Sequence, residues 1–145
     1  MDLAEKLDAL EEIRKVKARY CRFVDTKQWD ALKNLFTPDC RFDGSGGGMG
    51  EIAGRDQFVA EAAAGLAGCV SVHHVHNPEI EFTAPDLAEG VWAMQDMLRW
   101  EEGSSSPLRS LHGMGHYRET YVRVDGAWKI VAWAVTRLRV DVVPA

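Results

Sequence analysis

The sequence predicts an α+β fold: three N-terminal helices packed on one face of a curved antiparallel sheet. Apolar spacing is helical up to Gly68 and alternating beyond it, and four long β-rich runs then follow one another through short turns. With 145 residues the chain suits one domain, residues 1–145, which can bury about two-thirds of its unfolded surface and enclose one pocket.

Leu7, Leu10, Ile13, Val16, Tyr20 and Phe23/Val24 recur every three or four residues and define one amphipathic helix over 3–24, with Glu11, Glu12, Arg14, Lys15 and Arg19 facing water. Asp25-Thr26 offers a cap for a shorter helix through Trp29, Leu32, Leu35 and Phe36, which Thr37-Pro38-Asp39 stops because proline cannot continue the hydrogen bonding. Residues 40–43 read as a short strand and the glycine-rich stretch 44–50 as a flexible loop. That loop lacks the lysine and the Ser/Thr of a phosphate-binding loop. Gly54-Arg55-Asp56 opens a third helix through Phe58, Val59 and Leu66, ended by Gly68. Strands are expected over 70–82, 87–101, 108–124 and 128–142, with turns at Thr83-Ala84-Pro85-Asp86 and Asp125-Gly126 and a longer tip at 103–107.

Composition removes several function classes. Hydrophobic residues make up 46% and charged residues 27%, which is ordinary for a globular chain. The balance of 17 Lys+Arg against 22 Asp+Glu gives a net charge of −5, with no positive excess to hold a nucleic acid. Apolar stretches fall far short of the roughly 20 residues a bilayer span needs, so no membrane partner is expected. The acidic start MDLAEKLDALEEIRK lacks the form of a signal peptide, and a cytoplasmic location is expected. Cys21, Cys40 and Cys69 have no C-x-x-C spacing and read as buried thiols.

All five histidines lie between positions 73 and 116. Alternation places Ser71, His73, Val75 and Asn77 on one strand face, and Val70, Val72, His74 and His76 on the other, if no bulge intervenes. A carboxylate reaching a buried histidine would orient the ring and favour its protonated form, as a general base requires. Asp25 is the candidate, although helix capping explains an aspartate there equally well. A rival arrangement puts His74, His76, His112 and His116 around one zinc or iron, if their strands are neighbours in register.

Several segments together resemble a known family: Ile13, Tyr20 and Asp25 on the first helix, Trp29 to Asp39, Gly54 to Asp56, His73 to Ile80, Gly115 to Tyr121 and Asp125 to Ile130. In this order they are similar to the SnoaL-like branch of the nuclear-transport-factor-2-like superfamily, nearest the lyases related to bile acid 7-alpha-dehydratase, hexachlorocyclohexane dehydrochlorinase and scytalone dehydratase. The resemblance implies a cone-like α+β barrel, its curved sheet wrapped around a pocket. It implies a cofactor-independent dehydratase-type lyase or isomerase, with no metal or organic cofactor. Matched by position, it assigns the Asp–His pair to Asp25 and His73, a tyrosine to Tyr20, and an arginine to Arg137 or, by a small shift, Arg139. Asn77 also fits. Such a set suits elimination beside an acidified C–H, from a small hydrophobic ring ketone of steroid or polyketide type, in a pocket lined by Phe23, Trp29 and Phe58. A non-catalytic small-molecule-binding or scaffold protein of the same fold is the alternative. The sheet's second apolar face leads us to expect a homodimer or homotrimer.

Overall fold

The computed structural model describes all 145 residues. In chain order it contains α1 (Leu3–Asp25), α2 (Trp29–Lys33), β1 (Phe36–Asp43), β2 (Glu51–Ala53), α3 (Arg55–Gly65), β3 (Cys69–Ala84), β4 (Leu87–Trp100), β5 (Leu108–Val124) and β6 (Ala127–Pro144), with a short 3-10 turn at Ser45–Gly47. The six strands form one curved, unclosed sheet in the order β2-β1-β6-β5-β4-β3. No helix is long and apolar enough to cross a membrane.

α1 starts at a reciprocal cap: Glu5 N–H donates to Asp2 (2.9 Å), and Asp2 N–H donates to Glu5 (2.8 Å). Its buried stripe includes Ile13, Val16, Tyr20 and Val24, as the spacing predicts, while Leu3 and Leu7 remain exposed. α3 presents Phe58, whose ring stacks on Phe42 of β1 (centroids 3.9 Å apart, 6° between planes) and tilts against Trp133 of β6. These aromatics join α3 to the concave face and account for much of the core.

The N-terminal half needs two corrections. α2 is only five residues long and the chain is already extended at Phe36, so the helix expected through Phe36 ends early. The strand expected over 40–43 is longer, and it pairs parallel to β6 (Phe36 with Ile130, Asp43 with Ala134), which makes the sheet mixed. Pro38 is tolerated because it falls where the register shifts between Phe36 and Arg41, where a missing ladder donor costs little. Within stretch 44–50 the Ser45–Gly47 turn lies against β6, where a Cβ on Gly46 would lie 2.2 Å from the Val135 carbonyl oxygen, while Gly48 and Gly50 have open space around them.

The four long strands follow the predicted runs closely. Asp125 and Gly126 both have positive φ (50° and 79°), the requirement of the tight primed turn that joins β5 to β6. Alternation buries Ser71 and turns Val70, Val72, His74 and His76 outward.

Candidate active site

A cavity of about 540 Å³ opens between the concave sheet face, α1 and α3. Its wall is largely apolar, with Phe58, Leu66, Leu98, Trp100 and Trp133 prominent, and both glycine-containing loops border it, through Gly47–Met49 and Ser105–Pro107. Polar side chains reach it at a few points only, among them Tyr20, His73, Asp96, Tyr117 and Arg137.

Asp25, the last residue of α1, does not cap α2, whose N-cap is Gln28 with no side-chain bond. It turns instead to β3. One oxygen meets His73 Nδ1 at 2.7 Å and the Ser71 hydroxyl at 3.0 Å, and the other accepts the His73 backbone N–H at 2.8 Å. A helix C-terminus is a poor place for a negative charge, and these three donors offset that disadvantage. Lys27 supports the group by donating to Ser71 (3.2 Å). A carboxylate oxygen accepts, so Nδ1 donates in this bond and Nε2 is the ring nitrogen left to the cavity that His73 lines.

The second polar group lies one strand further in. His73 and Asp96 are direct cross-strand partners, and Asp96 pairs in turn with Gly113. Arg137 forks onto Asp96 with bonds of 2.6 and 2.9 Å, and both side chains are largely buried. Burial works against the guanidinium's charge, but the Asp96 bonds outweigh it and hold Arg137 more firmly protonated than usual. The fork lies where a side chain on Gly113 would be: a Cβ there would come within 2.2 Å of Arg137 and 2.4 Å of Asp96. This explains why glycine occupies the row shared with His73 and Asp96.

Strand parity alone leaves Arg137 and Arg139 equivalent, but a bulge between the Gly115–Arg137 and Met114–Arg139 pairs changes the parity. Arg137 lines the cavity, whereas Arg139 is exposed and pairs with Asp141. Tyr20 lines the cavity beside Tyr117, their ring centroids 5.7 Å apart, and burial pushes both phenols well above their ordinary pKa. Each is therefore a neutral hydroxyl and a donor rather than a base. Burial likewise pushes the Cys21 thiol to about 11 and Cys40 to about 12, so neither is a ready nucleophile.

Of the four side chains expected to line the pocket, Phe58 does so and Phe23, Trp29 and Asn77 do not. At about 100° per residue α1 directs Val24 into the cavity and leaves Phe23 on the flank, with Arg22 over its ring. Trp29 packs beside Lys27 beyond the end of α1. Asn77 lies at a bulge between His76 and Glu79 with φ of 46°, which breaks the alternation and exposes it. The other four histidines are on β3 and β5 away from the cavity lining, and they do not gather into a group of three or more metal-ligating side chains. His112 and His76 instead flank Gln95, at 3.2 and 3.5 Å.

Asp96 and Tyr117 were not singled out from the sequence. A signal exists for Asp96: in Trp92, Met94, Asp96, Leu98 and Trp100 it is the one charge on an inward, apolar parity.

A probable cyclase of Gibberella zeae is 28% identical over 94% of this chain and 95% of its own length. Among solved structures, a hexachlorocyclohexane dehydrochlorinase of LinA type 2 superposes with a TM-score of 0.84 at 19% identity, covering 99% of this chain and 95% of that one. A candidate scytalone dehydratase from Novosphingobium aromaticivorans superposes with a TM-score of 0.83 at 21% identity, covering 97% and 91%. The model of the SnoaL-like domain family matches residues 5–134, and the chain belongs to that family.

Proposed function

We propose that the protein is an enzyme that converts a small molecule without a cofactor, by general-base elimination or isomerisation on a hydrophobic ring ketone. The observation that carries this reading is His73 held through Nδ1 by Asp25 with Nε2 left to an apolar cavity. The dehydrochlorinase, dehydratase and cyclase names among its likenesses support it.

In this reading His73 Nε2 removes a proton from the carbon next to the ketone, and Asp25 stabilises the imidazolium that forms. The electron pair moves onto the ketone oxygen, where the Tyr20 hydroxyl and the Arg137 donors not used by Asp96 receive it. In elimination the β-hydroxyl then leaves, taking the proton back from His73 and departing as water. In isomerisation the proton returns to a different carbon. Arg137 is already neutralised by Asp96, so the cavity favours an uncharged substrate over a carboxylate or phosphate.

The test incubates wild type, His73→Ala and Asp25→Asn with a panel of cyclic β-hydroxy ketones in D2O, following loss of water and deuterium uptake by mass spectrometry. Turnover by wild type with strong loss in both variants is expected. Equal product from wild type and His73→Ala would remove His73 from the mechanism, and no turnover of any ketone would overturn the reading in favour of a binding protein.

A further inference from the structure

Lys17 and Glu119 form another buried ion pair, 0% and 3% exposed, which neither Asp25–His73 nor Arg137–Asp96 uses. Lys17 stands on α1 three residues before Tyr20, and Glu119 stands on β5 between Tyr117 and Tyr121. The second Glu119 oxygen accepts from the Tyr121 hydroxyl, which itself accepts from Trp92 Nε1 at 2.9 Å. The Lys17 ammonium lies 4.0 Å from the ring centre of Tyr20 and 3.5 Å from that of Tyr117. Tyr20 and Tyr117 line the cavity; Lys17 and Glu119 do not. The pair thus sits behind two phenols, its positive end against their rings and its negative end toward Tyr121.

Buried ion pairs can often be replaced by well-packed apolar residues without loss of stability, so stability alone does not account for this one. We propose that Lys17, held by Glu119, is a positioning residue that fixes the Tyr20 and Tyr117 rings and makes both hydroxyls stronger donors to a neutral ligand oxygen in the cavity. A cation against a ring stabilises the electron-rich phenol that develops as the O–H bond is polarised, and no water screens it here. The proposal rests on the reading of Tyr20 as a donor and adds Tyr117 to the donor set. Lys17 and Cys21 from α1, Asp96 from β4, Glu119 from β5 and Arg137 from β6 are the titratable groups around the two rings, and Cys40 from β1 and Tyr121 from β5 lie near Glu119. Arg137 is claimed by Asp96, which leaves Lys17 as the cation set directly against the phenols.

All three tyrosines of the chain belong to this network, so 3,5-difluorotyrosine incorporation gives one fluorine signal for each, assigned with single Tyr→Phe variants. Lys17→Met combined with Glu119→Gln removes the charges and keeps an acceptor for Tyr121. The ionisation midpoint at position 117, where the Lys17 ammonium is nearest, should rise by about one pH unit or more, whereas at position 20 loss of the Glu119 charge, which itself raises the phenol, offsets part of the rise. In parallel, kcat on any ketone turned over should fall with KM nearly constant. A midpoint at position 117 that rises by less than about 0.3 pH unit, or falls, in a variant with wild-type circular dichroism and Tm would overturn the proposal. Lys17→Gln with Glu119→Gln provides a second, polar pair with the same readings. The fluorine signal needs no substrate, so a failed elimination reading, shown by a wild type that turns nothing over, is separable from failure of this proposal.

Discussion

The two faces of strands β3 to β6 carry similar residue types in opposite circumstances. On the concave face every charge that reaches the interior has a dedicated partner: Asp25 with His73, Asp96 with Arg137, Glu119 with Lys17. On the convex face His74 and His76 are exposed, and Arg139 and Asp141 form a solvated pair. The difference is one of water. Inside, a lost partner leaves a charge with no solvent to replace it, whereas outside water substitutes at once. A histidine or arginine can be given a fixed tautomer or orientation only where water does not compete, which is the concave side.

The largest contrast should appear in turnover. His73→Ala is expected to lower kcat/KM on a responsive ketone by about 10²- to 10⁴-fold, while His74→Ala and His76→Ala leave it unchanged. Steady-state kinetics of the three variants measure this, and an equal loss in His76→Ala would break the distinction between faces. Next in size, Arg137→Met should destabilise the fold by about 3–5 kcal/mol in denaturant unfolding, because it leaves Asp96 buried and unpaired. Gly113→Ala tests the same fork from the backbone side. Its methyl must displace Arg137 or Asp96, and a loss of about 1–3 kcal/mol is expected, with Arg137 moved in a crystal structure of the variant.

Alkaline titration probes the interior as a whole. Cys21 and Cys40 keep their protons to about pH 11 and 12 when folded, against an ordinary value of 9.0, so the unfolded chain releases those protons first. Their stabilising contribution is full below about pH 9 and is lost as pH rises through 11 to 12. The buried tyrosines add to the same trend, each held above its ordinary value of 10.0. Urea midpoints should therefore fall steadily above pH 9, and a flat profile to pH 11 would contradict the burial of these groups. The smallest effect is reserved for the convex face: Arg139→Ala should change stability by no more than about 0.5 kcal/mol, read from the same urea curves.

Much of the fold was legible because its signals are local. The apolar stripe of α1, the switch to alternation after Gly68 and the Asp125-Gly126 turn are decided within a few residues, and the four long strands lie where these signals put them. β1 was less legible, since Pro38 reads as a stop and only the parallel neighbour β6 makes an extended chain there worthwhile. The site divides in the same way. Parity was enough to set His73 and His74 on opposite faces, and the family resemblance chose His73 as the inward one, but bulges at Asn77 and near Leu138 reset parity, exposing Asn77 and separating Arg137 from Arg139. A bulge depends on how two strands accommodate each other, and periodicity within one strand does not record it.

The amino-acid sequence by itself determined the long helix α1 and the four long strands and which face of each is apolar, because those properties follow from spacing along a single element. Only the tertiary structure decided who partners whom. Asp25 could cap a helix or hold a histidine, and it holds His73 because α1 ends over β3. Asp96, Arg137 and Gly113 come from three strands, and Lys17 and Glu119 are separated by 102 positions. Pairing of this kind rests on excluded water and distance in space, which exist only once the sheet has curved around its cavity.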